Sequence, residues 1–302
     1  MATLLDFRRR IRSVKNTQQI TRAMKFVAAA RLRKAQESAL AARPYALELA
    51  RMLRSIMSRI EEPEHPLLAK REEKNVLVIV LSGERGLAGA FNSNILRKAN
   101  DFIRSQGGKK ITAIPVGKKG RDALKKAGYA FAAEYVNVLA KVEFSVARDI
   151  SALVSELYTK GEIDAVYIAF SEFKSVMSAN LVVEKLLPVE EIRDEDSKKQ
   201  DPEGAEKQQG EKEDETPIDY IYEQPAEQLL GKLLPRYIET QVLRSMLESS
   251  AAEYAARMVA MDSATKNAGD VIEALTLHMN KVRQAAITKE IIEIVSGANY
   301  GA

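Results

Sequence analysis

Three glycines follow the first strongly apolar run of the chain, in the stretch "GERGLAGAFN" at residues 83–92. Backbone N–H groups of a glycine-rich turn in front of a helix can cradle a phosphate group, so this loop is the best candidate for nucleotide chemistry. The loop is not a P-loop, because no Lys-Ser/Thr pair follows its last glycine. It is not the dinucleotide-binding fingerprint either, because Gly83, Gly86 and Gly89 recur at equal intervals. The residues alone therefore favour a tight strand-to-helix turn over a phosphate site.

A structural turn carries expectations for its single residues. Asn92 or Ser93 is expected to cap the following helix, and Arg85 is expected to form a local hydrogen bond. Glycines permit backbone conformations that side chains obstruct. We therefore expect Gly86→Val to damage folding or assembly rather than a catalytic step.

Other kinds of catalytic or metal site find little support in the composition. The chain has no Cys, which excludes disulfides, thiolate nucleophiles and cysteine-ligated zinc, and its two His residues, His65 and His278, are far apart. Closely spaced carboxylates such as Glu248 and Glu253 stand beside cationic residues on helices, as charges on solvated faces usually do. We expect no catalytic residue, no cofactor and no bound metal.

The net charge of +4 conceals an uneven distribution. Residues 1–60 hold fourteen Lys and Arg against three acids, a net +11, whereas residues 190–216 hold five against twelve, a net −7. A nucleic acid, an anionic membrane surface or an acidic protein surface could bind the basic segment. Few aromatic residues lie in it, and its apolar face is rich in alanine, which disfavours the first two. An acidic protein surface is the preferred partner.

Both ends of the chain show the periodicity of long coiled-coil helices. The first helix is predicted to end at about Ile60, and its seam is interrupted by Gln18, Thr21 and Lys25. The first seam consists of Leu4, Phe7, Ile11, Val14, Gln18, Thr21, Lys25, Ala28, Leu32, Ala35, Ala39, Ala42, Ala46, Leu49, Leu53, Ile56 and Ile60. The second consists of Leu229, Leu233, Arg236, Thr240, Leu243, Leu247, Ser250, Tyr254, Arg257, Met261, Ala264, Ala268, Val271, Leu275, His278, Val282, Ala285, Lys289 and Ile292.

The two helices are predicted to run side by side in opposite directions, because the middle of the chain joins the end of one to the start of the other. At about 1.5 Å per residue they span roughly 85 and 105 Å, so the second overhangs by about 20 Å. A helix that is apolar on most sides requires enclosure, so we expect other subunits to surround this overhang. Its apolar residues are Ile287, Ile291, Ile292, Ile294 and Val295. The alternative is a frayed, partly disordered terminus.

The middle of the chain, residues 75–224, changes to the pattern of a Rossmann-like parallel-sheet domain. An edge strand is predicted at 218–225, and the polar segment 190–216 is predicted to be a flexible acidic insertion. The fold class is therefore α/β, with an antiparallel coiled coil of the N- and C-terminal helices (1–60 and 226–302) beside the central domain. The predicted strands are 76–81, 111–116 and 165–170, and the predicted helices are 94–103, 118–127 and 144–158.

Four stretches together resemble a known family. They are "TQQITRAMKFVAAARLRKAQ" (17–36), "GERGLAGAFN" (83–92), "AEYAARMVAMDSATKNA" (252–268) and "NKVRQAAITKEIIEIVSGA" (280–298). This combination resembles the gamma subunits of bacterial F-type ATP synthases over nearly the whole chain, most weakly across the acidic insertion. The first and last stretches are the most specific.

The resemblance implies a rotor shaft in the central stalk. The helical pair would occupy a hexamer of alternating alpha and beta subunits, and the α/β domain would sit with epsilon on the ring of membrane c subunits. Rotation would couple proton flow to ATP synthesis or hydrolysis in the head, so the chain itself would bear no active site and bind no nucleic acid or small-molecule substrate. A peripheral position on the cytoplasmic face of a bacterial inner membrane is expected, and we find neither a transit peptide nor a membrane-spanning run.

The resemblance also implies contacts with the beta and alpha subunits on both terminal helices. On the first helix these are Arg9, Arg10, Met24, Lys25, Arg31 and Arg33. On the second they are Arg257, Arg283, Gln284, Thr288 and Glu290. The family often has Cys where Ala88 stands and an aromatic residue where His278 stands, and the absence of Cys excludes thiol switching.

Two other functions remain open at this point. A nucleotide-binding α/β protein with a coiled-coil dimerisation arm would bind ATP at the glycine loop. A basic coiled-coil nucleic-acid binder would show steeply salt-dependent binding.

Overall fold

The computed structural model describes residues 3–60, 65–189 and 224–300, with side chains described up to residue 296. The predicted acidic insertion at 190–216 and nearly all of the predicted edge strand at 218–225 lie outside these residues. The elements are, in chain order, α1 (Leu4–Met57), β1 (Asn75–Leu81), α2 (Phe91–Ser105), β2 (Lys110–Val116), α3 (Lys118–Lys126), β3 (Ala130–Phe131), α4 (Phe144–Thr159), β4 (Ala165–Phe173), β5 (Ala179–Leu187) and α5 (Ala226–Tyr300).

Helix α1 begins at a capping box. The Thr3 hydroxyl accepts a hydrogen bond from the Asp6 backbone N–H, and the Asp6 carboxylate accepts one from the Thr3 backbone N–H at 3.0 Å. Two backbone donors that the helix itself leaves unpaired are satisfied in this way. The helix ends at Met57, a little before the predicted end at Ile60.

Helices α1 and α5 pack antiparallel, as predicted. The Phe7 ring lies 5.0 Å from the His278 ring, centroid to centroid, and the Lys25 ammonium lies 2.6 Å from the Asp262 carboxylate. The predicted seam of α1 is confirmed, because every buried α1 residue except Ala50 belongs to it. The buried residues are Phe7, Ala28, Leu32, Ala35, Ala46, Leu49, Ala50, Leu53 and Ile56.

The first part of α5 is buried on a face that the predicted seam does not include. Arg236, placed on that seam, is 55% exposed and pairs with Glu239. The heptad pattern describes only the contact with α1, whereas the sheet domain covers a neighbouring face of the same helix. The buried residues there include Leu230, Leu234, Tyr237, Ile238, Val242 and Met246.

The five strands of the described residues form one sheet in the order β3-β2-β1-β4-β5. Strands β1 to β4 are mutually parallel, which confirms the predicted three-strand βαβ pattern, and β5 is antiparallel to β4 at the edge. Sequence reasoning missed β3 and β5. Strand β3 has only two residues, and Glu184 and Lys185 interrupt the apolar run of β5.

Strand β1 divides its side chains between two cores. Leu77 and Ile79 face one core, which also contains α4, the C-terminal part of α1 and the N-terminal part of α5. Val78 faces the other core, which is covered by α2 and α3. Successive side chains of a strand point to opposite faces, so a continuous apolar run fits a strand that is covered on both sides. We call the sheet with α2, α3 and α4 the base, and the paired α1 and α5 the shaft.

The last residues of α5, 283–300, extend past the start of α1 and are called the tip. They amount to roughly 27 Å of helix, somewhat more than the expected 20 Å. Ile294 is 71% exposed, and the other predicted apolar residues of the tip are exposed as well. None of the described helices has an apolar stretch that would be long enough to cross a bilayer.

Candidate functional site

The glycine loop, residues 83–89, is a compact turn that its own backbone and Asn92 hold together. The Gly83 N–H donates to the Asn92 side-chain oxygen at 2.8 Å, and the Asn92 amide donates to the Arg85 carbonyl at 3.3 Å. Gly89 has a φ of +55°, in the region that glycine favours. The Arg85 backbone carbonyl thus takes part in the turn, and a local hydrogen bond of its side chain stays a prediction.

The predicted helix cap at Asn92 or Ser93 is wrong. Helix α2 begins at Phe91, with Ala90 at the cap position and no side-chain hydrogen bond to the helix there. Asn92 lies inside the first turn of α2, and its side chain bonds to Gly83 and Arg85 of the glycine loop. It therefore closes the loop and does not cap the helix. The Ser93 hydroxyl donates to the Ala90 carbonyl at 3.1 Å.

Gly83, rather than Gly86, is the glycine that the packing requires. A Cβ added at Gly83 would lie 2.9 Å from both the Asn92 side-chain oxygen and the Glu253 carboxyl carbon. A Cβ added at Gly86 would meet nothing within 4 Å, and Gly86 has no positive φ. The expectation that Gly86→Val damages folding is therefore corrected, because that position is open and exposed.

Carboxylates of the chain itself occupy the end of β1 where a phosphate would bind. Glu84 accepts hydrogen bonds from the Lys118 N–H at 3.0 Å and the Val138 N–H at 3.2 Å, so it fills the N-terminus of α3. Glu253 packs against the backbone of Gly83. Two acidic groups repel a phosphate electrostatically, and the Gly83 N–H of the loop already donates to the Asn92 side-chain oxygen.

Glu253 is buried, contrary to the expectation of a solvated face. Its side chain is 7% exposed and accepts a hydrogen bond from Arg257 at 2.6 Å. Burial raises the pKa of the Glu253 carboxyl, and Arg257 opposes that effect. The sequence gives no sign of this burial, because it depends on where the glycine loop meets α5.

Arg257 lies against the base. Its side chain is 13% exposed, and its guanidinium also reaches the Gly86 carbonyl at 3.5 Å. The Tyr254 ring is close to both Arg257 and Arg31, whose guanidinium carbons are 5.7 and 5.8 Å from the ring centroid. The structure thus brings Arg257 and the glycine loop together, which sequence reasoning did not foresee.

Lys25 and Met24 lie where a polar layer crosses the shaft. The Lys25–Asp262 ion pair is followed by a hydrogen bond of 2.8 Å between the hydroxyls of Thr265 and Thr21. Hydrogen bonds from Lys25 and Lys266 lower the pKa of Asp262. Met24 is half-buried. The polar pairs explain why Thr21 and Lys25 interrupt the apolar seam, since both side chains have polar partners on α5.

The remaining predicted contact residues are exposed. On α1, Arg9, Arg10 and Arg31 face solvent, and Arg33 pairs with Glu37 on the surface at 2.9 Å. On α5 the exposed residues are Arg283, Gln284, Thr288 and Glu290. Arg9 and Arg10 follow Phe7, which contacts His278, so these arginines and the tip lie at the same end of the shaft.

Comparison with known proteins gives a consistent result. A family model described as ATP synthase matches residues 3–299. The ATP synthase gamma chain of Solibacter usitatus is 47% identical over 302 residues, covering 99% of each chain. The ATP synthase gamma chain of Desulforamulus reducens is 47% identical over 298 residues with the same coverage.

Solved structures show the same fold at low identity. A chain of the Euglena gracilis mitochondrial ATP synthase rotor has 21% identity and a TM-score of 0.61, covering 94% of this chain and 98% of that one. A chain of the Tetrahymena thermophila mitochondrial ATP synthase central stalk and c-ring has 22% identity and a TM-score of 0.58, covering 81% and 99%. The family match and the identity over almost the entire length decide the assignment: the chain belongs to the ATP synthase gamma chain family.

Proposed function

We propose that the chain is the central-stalk rotor of a proton-translocating F-type ATP synthase, in which its rotation couples proton flow to ATP synthesis or hydrolysis in the head. One observation carries the proposal. A two-helix shaft continues into a single helix whose apolar residues are exposed, and the shaft is rooted in a base by a large apolar core. Such a rod can transmit a rotation, and its tip requires an apolar bearing.

The proposed partners of the shaft are the alpha and beta subunits. The exposed arginines of α1 suit acidic surfaces on a surrounding head, and electrostatic contacts can form and break repeatedly as a rotor turns. Arg9, Arg10, Arg31 and Arg33 are the proposed contacts on α1. On the tip they are Arg283, Gln284, Thr288 and Glu290, while Met24 and Lys25 remain proposed contacts beside the polar layer.

The base is proposed to bind epsilon and the ring of c subunits, and the chain is proposed to lie at the cytoplasmic face of a bacterial inner membrane. The chain is proposed to have no active site of its own. The division into a first helix (1–60), an α/β domain (75–224) with an acidic insertion (190–216) and a last helix (226–302) also remains a prediction.

Co-purification tests the assignment. Tagged chain should bring down alpha and beta subunits in a particle that hydrolyses ATP, whereas the chain alone should show no turnover. ATP hydrolysis by the purified single chain, or its failure to associate with alpha and beta, would contradict the proposal.

Calorimetric titration of the isolated chain with ATP tests the nucleotide-binding alternative. A flat titration is expected, because Glu84 and Glu253 occupy the end of β1. Saturable binding of ATP that is lost in a Gly86→Val variant would restore the alternative, since Gly86 has room for a Cβ.

A further inference from the structure

The glycine loop contacts α5 over about two turns of that helix. Ala88 and Phe91 form a small apolar cluster with Ala252. Further along α5, a Cβ added at Gly89 would lie 3.9 Å from the Cβ of Ala260. The loop therefore lies along one face of the shaft just where the shaft leaves the base.

The opposite side of the same two turns packs against α1. Ala251, Tyr254 and Ala255 of α5 share an apolar cluster with Leu32 and Ala35 of α1. Helix α5 is consequently held between its partner helix and the glycine loop. Any rotation of α5 relative to the base must move it along the loop.

Directional contacts on the loop side come from Glu253 and Arg257. Arg257 donates to Glu253 at 2.6 Å and reaches the Gly86 carbonyl at 3.5 Å, while Glu253 packs against Gly83. Apolar packing resists rotation only weakly because it has no preferred direction, whereas a hydrogen bond from a charged group fixes an orientation. The Arg257–Glu253 bond lies within α5 and orients the guanidinium, and the hydrogen bond that crosses to the loop is the one from Arg257 to the Gly86 carbonyl. Arg257 and Glu253 are 13% and 7% exposed, so the chain itself covers most of either side chain and leaves little of it for contact with another subunit.

We propose that Glu253 and Arg257 form a clamp that holds the glycine loop on α5 and fixes the angle between base and shaft. Both are then positioning residues for coupling, and Arg257 is not a contact to the head. This inference rests on the proposed rotor function, since an angle between base and shaft matters only in a part that transmits rotation.

Coupling in the assembled complex tests the clamp. Inverted membrane vesicles carry the complex with Glu253→Gln, Arg257→Gln or both, and the protons pumped per ATP hydrolysed are measured. Each single variant should lower this ratio severalfold, and the double variant should lose no more than either single one, because one interaction is removed in all three. Full coupling in Glu253→Gln together with a loss in Arg257→Gln would overturn the proposal, since that pattern fits a head contact.

A switchable covalent link supplies a second test. The separation of 3.9 Å between an added Cβ at Gly89 and the Cβ of Ala260 suits a disulfide, and the chain has no Cys of its own. Oxidation of Gly89→Cys/Ala260→Cys should restore coupling in the clamp variants, and reductant should remove it again. Disulfide formation without recovery would contradict the clamp.

Arg283→Ala is the matched control, because Arg283 is an exposed arginine on the same helix outside the clamp. Since Arg283 is a proposed contact to the head, we expect Arg283→Ala to lower coupling as well, and the disulfide should leave that loss unchanged. If the clamp variants fail to assemble, the disulfide in the otherwise native chain decides. Oxidation should then leave coupling intact. A loss of coupling on oxidation would contradict the clamp, because it would show that loop and helix must move past each other.

The proposed function is tested separately in the same material. If the native chain neither assembles with alpha and beta nor supports any ATP-driven pumping, the rotor assignment itself fails. If the native chain pumps normally and the clamp variants do too, only the clamp fails.

Discussion

Glu73, just before β1, collects donors from three neighbouring segments. Its carboxylate lies 2.8 Å from the Lys109 ammonium, 3.0 Å from the Lys185 ammonium and 3.1 Å from the Tyr167 hydroxyl. Burial raises the pKa of Glu73, but these hydrogen bonds outweigh burial and lower it to about 2. The network thereby links the start of β1 to the start of β2 and to residues of β4 and β5.

Glu73→Gln should destabilise the chain at neutral pH and hardly at all in acid. The folded-state pKa of about 2 lies below the ordinary value of 4.5, so the stabilisation is fully present above 4.5 and is lost as the pH falls toward 2. Because the carboxylate is partly solvated, we expect about 1–2 kcal/mol at pH 7. Urea unfolding at several pH values measures this, and a difference that is independent of pH would refute it.

Substitutions in the glycine loop should separate a crowded glycine from an open one. Gly83→Ala should cost about 1–3 kcal/mol, because the new Cβ meets Asn92 and Glu253 at 2.9 Å. Gly86→Ala, its matched control, should be neutral or stabilise by up to about 1 kcal/mol, since the site is open. Thermal unfolding of both variants decides, and equal losses would contradict this distinction.

The exposure or burial of a residue was predictable from the sequence where it depends only on the residue's position relative to the helix seam. The exposed Arg9 and the buried Leu32 are examples. Glu253 and Arg257 were misplaced, because a segment far away in sequence buries them. Periodicity within one helix carries no information about a loop that packs on it.

Among the elements, α1 and α5 are anchored in the base by a shared apolar core. Leu53 is fully buried there, among residues from the sheet and from the first turns of α5. A buried leucine of this kind contributes both its transfer energy and the filling of a cavity. The shaft is therefore anchored by side chains whose loss would leave a cavity in the core of the base.

Leu53→Ala should cost about 2–5 kcal/mol of unfolding free energy. Leu40→Ala is the control on the same helix, since Leu40 is 63% exposed and its loss should remain within about 0.5 kcal/mol. Denaturant titration measures the unfolding free energy of both variants. If the two variants lose similar amounts of unfolding free energy, the buried anchor does not limit the stability of the chain.

At this scale the sequence predicted α1, α5 and the parallel strands, because each has a strong and regular hydrophobic pattern. It missed β5, whose charged Glu184 and Lys185 are accommodated at the edge of the sheet. It also missed the second buried face of α5. One helix that packs on two partners shows a superposition of two patterns, and a single seam describes only one of them.

The whole molecule is asymmetric, with a stable base at one end and an apolar tip at the other. Ile291→Asp/Ile294→Asp should leave the unfolding of the isolated chain unchanged, because both side chains are exposed. Coupled ATP hydrolysis in the assembled complex should fall strongly, since a charge would enter the apolar bearing that we propose for the tip. Asn267→Asp, an exposed position lower on α5, is the control, and equal activity in all three proteins would count against an enclosed tip.

The antiparallel pairing of the two ends has a consequence for biosynthesis. Lys25 and Asp262 are 237 positions apart, so at about 5–20 residues per second a ribosome needs on the order of 10–50 s to supply the partner. During this time α1 has emerged but has nothing to pair with. Its alanine-rich seam exposes less apolar area than a leucine seam would, which lowers the tendency of the waiting helix to associate with other nascent chains.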